Sequence, residues 1–146
     1  MIAGTLINDM SQNYDTINIY FLIRGDFPLQ EVLDSLCIVP KRTFDRTDIR
    51  RDGKPYGFSM IQIEDIVTSE PLLYKEMEKL VDVLSPFADK LIELKNRYNL
   101  EYFLEVVPQL YVDHIHPCLA PSLKVMEFCV KTKTNMDIDL YLYPDE

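Results

Sequence analysis

The softest ligand atoms of the chain are gathered in one stretch, His114-Ile115-His116-Pro117-Cys118. Drawn out as a strand, it would set His114, His116 and Cys118 on one side, the donors of a zinc or copper surface. Structural zinc, however, takes four ligands from two separated pairs. Cys37 and Cys129 lie far away in sequence, and Asp113 would be a weak fourth ligand. A solvated turn is the better reading, so no metal and no cofactor is expected. Nucleophilic chemistry has no stronger basis. The chain has no G-x-S-x-G elbow, and neither histidine has a context that makes it the base of a cysteine. No catalytic residue is named, and the balance leans away from an enzyme.

Two other groupings remain. Lys41 to Lys54 is the one compositional break: six of the 15 basic residues against three acidic ones, +3 locally and −12 over the rest. Arginine forks match phosphate oxygens, so Arg24, Arg46, Arg50 and Arg51 outline an anion site for a small-ligand binder or an enzyme. Yet the four glycines form neither phosphate-cradling motif, and arginines of a long loop pairing with the acidic remainder are favoured. Arg24-Gly25-Asp26 spells an adhesion tripeptide but reads as a strand end, a turn glycine and a helix cap. The second grouping joins tyrosines to acids: Tyr20, Glu105, Tyr111, Asp137, Asp139, Tyr141 and Tyr143.

What these residues do depends on the elements that carry them. Thr16 to Arg24 alternates, with Ile17, Ile19, Phe21 and Ile23 on one flank and Asn18, Tyr20, Leu22 and Arg24 on the other, which predicts a half-buried strand. A short helix follows, with Pro28 in its first turn, Asp26 or Phe27 near its cap, and Pro40 beyond it. Residues 41–54 read as a basic loop, and Tyr56 to Ile63 as a second strand. Ser69-Glu70-Pro71 reads as a helix start. Leu73, Met77, Leu80, Leu84, Phe87, Leu91, Leu94 and Tyr98 then step by four and three through Pro86. Interior proline costs a helix about 3 kcal/mol, so either one kinked helix or two nearly collinear ones is expected. Glu101 to Asp113 is a long strand whose Pro108 suggests an edge or a bulge. Ser122 to Val125 reads as a short returning strand, Met126 to Val130 as helix, and Asp137 to Tyr143 as a last strand. The order β-α-β-α-β-β-α-β predicts an α+β domain over residues 1–146. It has two layers, with helices over one face of a mostly antiparallel sheet and an arm at residues 1–14. If the helices cover the Ile17, Phe21, Ile138 and Leu140 side, the tyrosines and acids share the bare one.

Composition narrows the class of function. The 146 residues are 47% hydrophobic and 27% charged, a globular mix, and the net charge of −9 disfavours nucleic acid and anionic membranes. No apolar run is long enough for a membrane span, and the first residues lack a basic-then-apolar leader, so a cytoplasmic location is expected. Three widely spaced cysteines without a C-x-x-C pair read as free thiols in a reducing compartment.

Several short motifs resemble a known bacterial family. They are Tyr20 with Arg24-Gly25-Asp26-Phe27-Pro28, Leu36-Cys37-Ile38-Val39-Pro40, Thr43, Asp48, Phe58-Ser59, Pro86 with Leu91, Leu94 and Tyr98, and Asn135 with Asp137-Ile138-Asp139-Leu140-Tyr141. The chain is similar over residues 16–143 to the family catalogued as domain of unknown function 4279. It departs where relatives commonly have Leu-Gly for Leu36-Cys37 and often Trp for Phe58. The resemblance implies a fold and no set activity, with an association of some relatives with immunity against toxins. The expectation is a protein-binding module whose partner is a protein, a basic one in the sharpest version.

Overall fold

Alternating branched or aromatic and polar side chains make Thr16–Asp26 an 11-residue strand, β1, with Ile17, Ile19, Phe21 and Ile23 buried on one side. The computed structural model describes residues 15–144, so the arm expected over residues 1–14 lies outside the described residues. After β1 come α1 (Leu29–Leu36), β2 (Arg42–Phe44), β3 (Ser59–Thr68) and α2 (Leu73–Leu84). A 3-10 turn (Ser85–Phe87) leads to α3 (Ala88–Arg97), β4 (Asn99–Tyr111), α4 (Leu123–Thr132), β5 (Thr134–Ile138) and β6 (Tyr141–Tyr143). The fold is α+β with a mostly antiparallel sheet in the order β2-β3-β1-β4-β5, and β6 also pairs with β4. β4 and β5 run parallel, which requires a crossover, and α4 supplies it.

The helices lie on one face. Val32 and Leu36 of α1, Leu73, Met77, Leu80 and Leu84 of α2, Leu91 and Leu94 of α3, and Val125 and Phe128 of α4 pack on Ile19, Phe21, Ile63, Tyr102, Leu104 and Val106. Fully burying one such aliphatic or aromatic side chain contributes roughly 1.5–3 kcal/mol, so this layer dominates the stability. The stripe does run through Pro86, which sits in the tight turn joining α2 to α3, with the Ser85 hydroxyl donating to the Val81 carbonyl at 2.7 Å. Phe87 is only half-buried there, and Ala88 takes the inner place.

Several local expectations need correction. The helix expected from Ser69 begins at Leu73, because the Pro71 carbonyl accepts from Cys118 N and Leu72 bridges to Cys118, holding these residues out of helical geometry. Asp26 does not cap α1; it pairs with Arg46, and Pro28 occupies the cap position. Ser122 starts α4 rather than a returning strand, since its hydroxyl accepts from Val125 N at 3.4 Å. The basic segment is not a featureless loop: Arg42–Phe44 pairs with β3, and Tyr56 N and Gly57 N donate back to Asp48 O and Arg46 O. Those two bonds also delay β3 to Ser59.

Pro108 lies on no edge. β4 is paired on both sides, but β5 stops opposite Val106 and β6 resumes opposite Gln109. Val106 O accepts from Asp139 N and Val112 N donates to Tyr143 O, so even-numbered residues here turn their backbone toward that side. The amide hydrogen that proline lacks therefore falls at the gap between β5 and β6, where no ladder bond is lost. The last strand is accordingly two pieces, and Ile138 and Leu140, expected under helices, are 43% and 47% exposed. The helical layer ends before it reaches them.

Gly25 closes the end of β1. A methyl group there would lie 2.3 Å from the Asn99 carbonyl oxygen, so the close approach of β1 to β4 admits only glycine.

Candidate functional site

The face opposite the helices is set by strand register. Even-numbered β1 residues stand beside odd-numbered β4 residues: Tyr20 beside Glu105, Leu22 beside Phe103 and Arg24 beside Glu101. The parallel pairings then place Asp137 next to Glu105, Tyr141 next to Gln109 and Tyr143 next to Tyr111. All seven of Tyr20, Glu105, Tyr111, Asp137, Asp139, Tyr141 and Tyr143 therefore belong to this side or to its β5–β6 rim. On this side Tyr141 and Tyr143 are 48% and 39% exposed, whereas Glu105 is buried. The Tyr111 and Tyr143 rings stand 5.5 Å apart, and the Tyr141 hydroxyl donates to Asp139 at 3.0 Å.

Glu105 is the chemical centre of the face. It is only 8% exposed, and burial pushes its carboxyl up to about 7, reinforced by a hydrogen bond with Asp137 and by the charges of Asp137 and Asp139. Arg24 opposes that shift. Glu105 thus keeps its proton to a higher pH than an ordinary carboxyl does. The Tyr20 hydroxyl is also harder to ionise than usual, through burial first and then through Glu105, Asp65, Asp139 and Asp137.

Asp65 is a member that alternation alone misplaces. The β1–β3 register shifts between Ile19 and Phe21, so Glu64 and Asp65 together face Tyr20, and Glu64 takes a left-handed φ of 61°. This bulge turns Asp65 toward the open face, where Asn18 donates to it at 3.1 Å. A bulge without glycine leaves no composition signal. Leu22 and Phe103 supply a half-buried apolar middle, and Arg24 lies 4.9 Å over the Phe103 ring. At the β2 edge Tyr56 stacks on Phe44 at 3.8 Å.

The arginines of the alternative site are distributed differently. Arg46 pairs with Asp26 at 2.6 Å, and Arg50 holds Asp52 by two nitrogens, at 3.2 and 2.6 Å. Arg24 is committed to the open face, 4.0 Å from Glu101, and Arg51 is exposed in the turn. The loop is organised instead by Asp45, which accepts from Thr47, from Leu29 N at the start of α1 and from Ser59. The Thr47 hydrogen bonds lead in holding its carboxyl at about 2.

His114 faces Asp15 at 3.1 Å and His116 faces the Tyr111 carbonyl at 3.1 Å. Among the described residues no three His, Cys, Asp or Glu side chains are grouped to hold a metal ion. The cysteines are free, with Cys129 buried and Cys37 and Cys118 exposed. No helix among the described residues is long and apolar enough to cross a membrane.

Residues 15–143 match the family model described as Domain of unknown function (DUF4279). The chain belongs to this family. No curated protein and no solved structure matches it. The DUF4279 match runs to Tyr143 and so takes in every residue of the tyrosine–acid face. Cys37 ends α1 in the left-handed conformation at φ 55°.

Proposed function

We propose that the chain is a non-catalytic protein-binding module of the cytoplasm, docking a basic partner on its open sheet face in the manner of an immunity protein against a toxin. The observation that carries this reading is the gathering of Tyr20, Glu105, Tyr111, Asp137, Asp139, Tyr141 and Tyr143 beside Leu22 and Phe103 on the sheet face opposite the helices. Tyrosines offer rigid contact area with a polar tip and are enriched where binding energy concentrates. Acids around them repel nucleic acid and speed the approach of a basic protein surface. The −12 that the chain carries outside residues 41–54 extends that attraction over the molecule.

The test is capture from extracts of the source organism by the immobilised chain, compared with Asp137→Lys plus Asp139→Lys. A basic protein retained by the wild type and lost by the variant is expected. Equal retention by both removes the acidic face from the interaction.

A further inference from the structure

The helical layer, on the other side of the sheet from the tyrosine–acid face, carries a separate positive site. The last turns of α3 and α4 converge where the Lys95 ammonium donates to the carbonyl oxygen of Lys133, the left-handed residue that ends α4. Beside this contact lies a cavity of about 250 Å³ lined by Ile92, Lys95, Asn96, Lys131, Thr132 and Lys133. Three lysines line it and no carboxylate does, in a chain of net charge −9. Lys131 stands 3.7 Å from Asp89, but both are largely exposed, and such a pair exchanges partners at little cost. Among the described residues neither Lys95 nor Lys133 is ion-paired with a carboxylate.

Helix C-termini explain part of this gathering, since each carries about half a negative charge. Two such ends offset about one lysine charge and Asp89 a second, and Glu101 also acts on Lys95, although no carboxylate lines the cavity itself. Lys95 is harder to protonate than usual, through burial first and then through Lys133, with Glu101 opposing, so the Lys95 and Lys133 ammonium groups are held near each other against their repulsion. An anion relieves that repulsion. We propose that this cavity binds the phosphate group of a small phosphorylated molecule, with Lys95, Lys131 and Lys133 on its oxygens and Ile92 and Asn96 against its body. The volume lies just under the roughly 300 Å³ at which ligand pockets begin, which suits a small occupant.

The experiment is titration of isotope-labelled protein with phenyl phosphate and with inorganic phosphate, ionic strength being held constant with sodium chloride, read by amide NMR shifts. Saturable shifts at Lys95, Asn96 and Lys131 to Lys133 are expected, with phenyl phosphate the tighter probe. Lys95→Gln and Lys133→Gly should each weaken binding about fivefold, the loss of one charge-assisted contact. Lys133→Gly keeps the fold, because glycine suits the φ of 55° at that position. Arg50→Ala with Arg51→Ala should change nothing. Shifts that stay linear and match those of chloride overturn the proposal, as does unchanged binding in both lysine variants. So does binding lost with the arginines, or binding of inorganic phosphate with phenyl phosphate excluded.

Discussion

At the scale of single residues, Glu105 and Cys37 each carry a local cost with a measurable consequence. Glu105 is held near 7 in the folded chain against an ordinary 4.5, so the fold binds its proton more tightly than the unfolded chain does. The associated stability is fully present below about 4.5 and is lost as pH rises through about 7. Glu105→Gln removes the titration while keeping a neutral hydrogen-bonding side chain. It should therefore match the wild type at pH 4.5 and exceed it by on the order of 2 kcal/mol at pH 8, in urea melts at the two pH values. A gap independent of pH would mean that the carboxyl does not titrate in this window. Cys37 strains the end of α1, since a side chain in the left-handed region costs about 1–2 kcal/mol that glycine escapes. Cys37→Gly should raise stability by about 1 kcal/mol, checked by the same melts.

At the scale of elements, α1 lacks a cap of its own and receives one from the basic segment, where Asp45 accepts from Leu29 N at 3.3 Å. Because the Asp45 carboxyl is held at about 2 instead of 3.8, the stability it lends is present above pH 3.8 and disappears as pH falls toward 2. Asp45→Ala should lower Tm by several degrees at pH 7, and the difference should shrink between pH 4 and pH 2, followed by circular dichroism. This tie was hidden from the sequence because 16 residues separate its partners. What was legible was whatever repeats along the chain. The alternation of β1 placed Tyr20 and Arg24 opposite Ile19 and Phe21, and the four-and-three stripe of α2 and α3 survived Pro86. What was not legible depends on neighbours. The gap that tolerates Pro108, the bulge that turns Asp65 outward and the bridge that delays α2 to Leu73 are all settled by another strand or loop. In the helix read over Met126 to Val130, Met126 and Val130 are exposed, while Val125, Phe128 and Cys129 point inward. A few apolar residues on a short helix fit either phase.

At the scale of the whole molecule, the sheet divides the labour. One face is covered by four helical segments and carries the stability; the other keeps Asp137, Asp139, Tyr141 and Tyr143 exposed around a buried Glu105. The residues of the proposed docking face sit on paired strands that hold their positions without a ligand, so the docking we propose needs little reorganisation. Charge then acts at long range, and its contribution depends on salt. The most direct measurement is the association rate with the captured partner, by stopped flow, for the wild type and for Asp137→Lys plus Asp139→Lys. At low salt the variant should associate about tenfold more slowly, and the two rates should converge as salt is raised above roughly 0.5 M. Equal rates at low salt would contradict the assignment of the tyrosine–acid face as the docking surface.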